Sequence, residues 1–181
     1  MVLGIAVAGL ALPVFAADGP KKALVVTVTT GFRHSSIPTA EKVLAKLAQQ
    51  SGAFTVDYAR VEPSSPEFKN PDTGKTDDAK VKAAIQAVLG EKMRAESLKN
   101  YDLIIFANTT GDLPLPDKEA FLDWLKSGKA FVGMHSCSDT FHGWPYRRST
   151  SFGAPRIWPS ASSYASCHRS PRRHCASASP E

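Results

Sequence analysis

Cysteine is nearly missing from this chain. Only three occur in 181 residues, and Cys137 is the only one before residue 167. So few thiols exclude a disulfide framework. No apolar run reaches the roughly 20 residues a membrane-spanning helix needs. The polar segment after the first expected strand, Thr30–Ser36, lacks the glycines of a phosphate-binding or dinucleotide-binding loop. A charge excess is also absent from most of the chain. Residues 146–181 carry six arginines and one acid, which leaves 16 of the 22 basic and 16 of the 17 acidic side chains to residues 1–145. The body is neutral, and the formal charge of +5 belongs to the end. Nucleic-acid binding by the body is not expected.

That end is unlike the rest. Residues 146–181 contain no Leu, Val, Lys or Met, and Ile157 is their only branched aliphatic residue. Such a composition cannot bury enough apolar area to offset the entropy of ordering. Trp158, Cys167 and Cys175 are scattered among Ser, Arg, Pro and Ala without period. The segment reads as a disordered, out-of-frame tail; an Arg/Ser arm that binds RNA or a membrane, or a small folded module, are the alternatives. At the other end, Val2–Val14 is almost wholly apolar, and small residues precede Ala17. Residues 1–16 read as a secretory signal peptide, although the usual positive n-region is missing. A secreted or periplasmic protein without a stable membrane anchor is expected.

Between Lys21 and Pro145 the apolar pattern alternates as in βα units. Ala23–Thr29 is a β-branched, nearly continuous strand, suited to the centre of a parallel sheet. A helix follows from Ile37, with Pro38 in its first turn and Val43, Leu44, Leu47 and Ala48 on one face. Further strands are expected at 54–58, 103–107 and 130–134, and helices at 78–89 and 115–128. The latter should turn Phe121, Leu122 and Leu125 inward. Right-handed crossovers then give a flavodoxin-like α/β fold, a parallel sheet in the order 2-1-3-4 with helices on both faces. The sheet is incomplete, with an uncovered edge at its fourth strand.

Ligands of such sheets bind outside the carboxyl ends of the strands, and three strand exits here are polar. The first carries Arg33, His34, Ser35 and Ser36, the second Asn108 to Asp112, the third His135 to His142. Arg33, His34 and Ser35 lead into a helix amino terminus, where backbone N–H groups favour an anionic or hydroxyl-rich ligand. Ser35 or Ser36 as a simple helix cap is the plainer alternative. His135 has the chemistry of a general base or metal ligand, or of a hydrogen-bonded structural residue. Asp139 and His142 complete a set of metal-ligand type but not of diagnostic spacing, so no metal is assigned. Cys137 is either an inert small residue or a nucleophile that needs a base. Phe141 and Trp144 suit either sugar stacking or packing.

Lys22–Thr27, Thr30-Gly-Phe-Arg-His-Ser-Ser-Ile37, Tyr101–Phe106, Phe131-Val-Gly-Met-His135 and Ser138-Asp-Thr-Phe141 together resemble the ThuA-like (trehalose utilisation) family. The likeness covers about residues 22–145, a partial domain. It implies a fold related to the class I glutamine amidotransferases and a link to carbohydrate metabolism, often in exported proteins. Those amidotransferases place a cysteine in a Gly-x-Cys-x-Gly elbow after a strand. Here Gly133–Cys137 puts His135 at that place and Cys137 at the closing glycine, which argues against glutamine hydrolysis. Family members continue past Pro145 with further strands and a His-containing segment that have no counterpart in 146–181.

A secreted domain that binds or processes a sugar at the carboxyl edge of the sheet is therefore expected. His135 and Asp139 are the candidate catalytic groups, and Arg33, His34, Ser35, Asn108 and Trp144 the candidate ligand-binding ones. The partner is a small sugar or sugar derivative, and no cofactor is assigned. The alternatives are a non-catalytic ligand-binding or interaction module and an inactive truncated fragment.

Overall fold

The computed structural model describes residues 19–143. Residues 1–18, with the expected signal peptide, and residues 144–181, with Trp144 and the expected tail, lie outside them. Four strands, β1 (Lys21–Val26), β2 (Phe54–Ala59), β3 (Leu103–Phe106) and β4 (Ala130–Gly133), form one parallel sheet in the order β2-β1-β3-β4. The helices are α1 (Ile37–Ser51), α2 (Asp78–Lys92), the single turn α3 (Ala95–Leu98) and α4 (Lys118–Lys126). The architecture is the expected α/β one.

β1 and β3 are central, and their alternate residues feed opposite faces of the sheet, as the two-residue period of a strand requires. Leu24, Val26, Ile104 and Phe106 point into the larger core, with Ile85 and Leu89 of α2 and Phe121, Leu122 and Trp124 of α4. Val25, Ile105 and Ala107 point into a smaller one, with Ala40 and Leu44 of α1. The first strand ladder ends at Val26, three residues earlier than its composition suggests. Thr27 and Val28 remain buried but belong to the exit loop.

Two helix faces differ from expectation. On α1 the buried stripe is Ile37, Ala40 and Leu44, while Val43 and Leu47 are each 48% exposed. The small Ala40 side chain permits close approach to the sheet, so the contact line runs through it rather than through the bulkier pair. On α4, Asp117 caps the amino end by accepting from the Ala120 N–H at 2.8 Å, so the helix starts at Lys118 rather than 115. Trp124 is buried there, and its indole N–H donates to the Tyr101 carbonyl at 3.2 Å. Leu125 only packs at the margin of the core. Beyond β3, β4 forms the sheet edge among the described residues, with Ala130, Val132 and Gly133 exposed.

A polar tie crosses the larger face. The Asp57 carboxylate on β2 accepts from the Tyr101 hydroxyl at 2.7 Å and from Lys92 Nζ at 3.1 Å, joining β2 to the end of α2 and the start of β3. Partial burial alone would raise the Asp57 pKa, but the bonds from Tyr101, Lys92 and the Tyr58 N–H outweigh it and hold the group below the usual carboxylate range. A depressed folded-state pKa stabilises the fold above the unfolded value, and that contribution fades as pH falls through the folded one. Asp57→Asn should therefore lose about 1–2 kcal/mol at neutral pH. Its urea midpoint should also fall less steeply than the wild type's on acidification; parallel pH profiles for the two proteins would contradict this.

Candidate functional site

The carboxyl ends of β1, β3 and β4 are sewn together by their backbones. The Thr110 carbonyl accepts from the N–H groups of Thr30 at 3.1 Å and Gly31 at 3.4 Å, and the Thr110 hydroxyl donates to the Phe32 carbonyl at 2.7 Å. On the other side, the Gly111 N–H donates to the Asp139 carbonyl at 2.9 Å, and the Phe141 N–H to the Gly111 carbonyl at 3.1 Å. The buried hydroxyls of Thr109 and Thr140 share a hydrogen bond at 2.8 Å. The three polar exits thus form one continuous edge.

Gly111 is the residue that permits the seam. Its φ is +77°, and a Cβ there would lie 2.5 Å from Thr30 Oγ1 and 2.6 Å from the Gly31 nitrogen. No side chain fits that gap.

Backbone strain gathers at the same edge. Asn108 (φ 61°), Ser136 (φ 65°) and Phe141 (φ 65°) are the non-glycine residues with left-handed backbone among those described. Such conformations cost of order 1–3 kcal/mol each and persist only where the surroundings hold them. Ser136 occupies the third position of a tight turn closed by the Cys137 N–H onto the Met134 carbonyl at 2.9 Å, followed by a 3-10 turn over Cys137–Asp139. Strand, strained turn and helical turn thus follow one another as in a nucleophile elbow. The strained residue is Ser136, one position after His135.

Two of the candidate residues come together. The imidazoles of His34 and His135 meet edge to face, with centroids 5.0 Å apart. Asn108, 4% exposed, donates through Nδ2 to Ser36 Oγ at 2.9 Å. Its Oδ1 is buried without a hydrogen-bond partner. Ser36, not Ser35, stands at the start of α1, and its hydroxyl makes no capping bond there. Ser35 is exposed.

Arg33 takes a different course. Its guanidinium forms an ion pair with Glu62 at 2.8 Å and reaches the Thr27 carbonyl at 3.5 Å. It lines a cleft of about 570 Å³ with Thr29, Thr30, Asp78, Lys82 and Asp112. Asp139 likewise pairs its carboxylate with His142 Nε2, and both side chains are exposed. No group of three or more His, Cys, Asp or Glu side chains is placed to hold a metal among the described residues. Phe141 is 1% exposed and packs against Phe106, so it is a core residue and not a stacking one. Trp144 lies outside the described residues.

Phe32 is the feature that sequence reasoning passed over. It is 71% exposed, and its ring lies edge to face on His34 at 4.9 Å. A bulky ring between glycine and arginine in an otherwise polar loop was the available signal.

Two measurements probe this edge. Gly111→Ala should lower the stability of the folded chain by roughly 2 kcal/mol or more. Gly128→Ala, where φ is +86° but nothing stands within 4 Å of a Cβ, should lose only about 1 kcal/mol. Equal losses in urea titrations would show that the seam is not close-packed. Cys137 is 2% exposed, and burial pushes its thiol up to about 12, against a smaller opposing effect of the Thr109 hydrogen bond. The native chain should therefore leave Cys137 unmodified by iodoacetamide at pH 8, whereas the urea-unfolded chain is alkylated; mass spectrometry after digestion separates the two.

In comparisons with known proteins, the family model ThuA, described as trehalose utilisation, matches residues 22–175. The match begins in β1 and runs 30 residues past Pro145. No curated protein and no solved structure matches the chain.

Proposed function

Because the chain belongs to the ThuA family, we propose that it binds and processes a small sugar or sugar derivative at the carboxyl edge of its sheet. The family places it in trehalose utilisation. The observation that carries the finer proposal is the His34–His135 pair, brought from two separate strand exits to 5.0 Å. Imidazole gives and takes protons near neutrality and donates or accepts hydrogen bonds according to its tautomer. Two of them side by side suit a hydroxyl group that must be both held and deprotonated. Asn108 stands behind the pair, tying the β3 exit to Ser36 through its Nδ2 at 2.9 Å. In this proposal His135 acts as the proton-transfer group and His34 as its partner on the substrate. Ser35 lies at the rim. Arg33 contributes through the neighbouring cleft, away from the imidazoles.

The bond between Asp139 and His142 favours a second proposal, recognition of the sugar without turnover. A carboxylate committed to His142 does not orient His135 as an acid–base pair requires. Under either proposal the chain is exported by its apolar leader and meets its ligand outside the cytoplasm.

Calorimetric titration of the full chain with trehalose and with an oxidised disaccharide, followed by chromatography of the mixture, tests both. Saturable binding is expected, with His34→Ala and His135→Ala each weakening it about tenfold or more. Turnover lost in His135→Ala supports the enzyme, and binding without turnover supports the module. Absence of binding to any sugar would sink both.

A further inference from the structure

Four large apolar side chains are exposed among the described residues: Phe32, Val43, Leu47 and Val132. Val43 and Leu47 flank the buried stripe of α1, and Val132 lies on the edge strand β4. Phe32 differs from them in place and degree. It is 71% exposed and stands on the β1 exit loop, in the middle of the candidate site. The fold does not lack room for phenyl rings, since Phe106, Phe121 and Phe141 are all buried together.

Nor is the exposed ring carried on a loose segment. The Thr110 hydroxyl donates to the Phe32 carbonyl at 2.7 Å, and the preceding Gly31 N–H reaches the Thr110 carbonyl. The ring meets His34 edge to face at 4.9 Å and 80°, and His34 meets His135 at 5.0 Å and 72°. Three rings are thus linked by contact, with Phe32 and His135 exposed and the half-buried His34 between them, apolar at one end and hydrogen-bonding at the other.

A pyranose has the same two-sided character. One face of the ring is a patch of C–H bonds, and its rim is hydroxyl. An aromatic surface takes up the C–H patch at small entropic loss, because a phenyl ring has only two side-chain torsions to fix. The hydroxyl rim then falls toward the imidazoles. We propose that Phe32 is the stacking platform of the sugar site and that it selects ring-closed pyranosides over open-chain polyols. Phe32 acts as a positioning and specificity residue, while His34 and His135 meet the hydroxyls.

The platform rests on the sugar-binding function proposed above, so the test separates the two. Wild type, Phe32→Ala and Phe32→Trp are titrated with trehalose, methyl α-glucoside and sorbitol, using the full chain throughout. Both glucosides should bind Phe32→Ala about tenfold more weakly than wild type, and Phe32→Trp should stay within about threefold of it. Sorbitol, which has the hydroxyls but no ring face, should bind all three proteins alike. Equal glucoside affinity for wild type and Phe32→Ala overturns the platform and leaves the sugar site standing. Parallel losses for glucosides and sorbitol, or loss in Phe32→Trp as well as Phe32→Ala, overturn it too. If wild type takes up neither glucoside the platform falls, and the sugar site falls with it when the oxidised disaccharide also fails to bind.

Discussion

The hydrogen bonds to and from Thr110 and Gly111 are the constraint on which the rest of this edge depends. One carbonyl receives two N–H groups from the β1 exit, and the next residue exchanges bonds with the β4 exit on its other side. Loops that leave a parallel sheet have backbone groups to satisfy and no ladder in which to satisfy them. Here they satisfy one another. This mutual pairing fixes the spacing of the three exits and so sets His34 against His135. It is possible only because position 111 has no Cβ.

The scaffold beneath is unequal on its two sides. Among the described residues, one face of the sheet is covered by α2, α3 and α4, whose apolar residues form a large core, and the other by α1 alone. A single helix cannot cover four strands. Val132 and the outer side of α1 are therefore left in solvent, and β4 is exposed on three of its four residues. The strongest packing lies under β1 and β3, whose apolar residues are almost all buried.

Strain gathers instead after β3 and β4. Asn108 and Ser136 follow β3 and β4 within three residues and turn the chain sharply outward, and Phe141 closes the third loop by driving its ring into the core. Their left-handed backbones cost energy that the large core and the seam offset. The product is a polar edge that presents two imidazoles and an exposed phenyl ring over a buried amide.

The sheet, its strand order and the helices were legible in the amino-acid sequence, because they follow from apolar period and from the short, right-handed connections of parallel strands. The choice of Val25 for one face and Val26 for the other is implicit in strand alternation. So was the set of polar strand exits that lie side by side. Contacts between loops were not, since no periodicity relates residue 34 to residue 135. Tertiary packing alone decided that Arg33 turns to Glu62 while its neighbour turns to His135, that Asp139 goes to His142, and that Phe141 is buried while Phe32 is not. It also rotated the α1 stripe to Ala40 and drew Trp124 inward, where the Tyr101 carbonyl satisfies its indole N–H. The physical reason is that local patterns state what a side chain prefers, whereas partners remote in sequence determine which preferences are met at once.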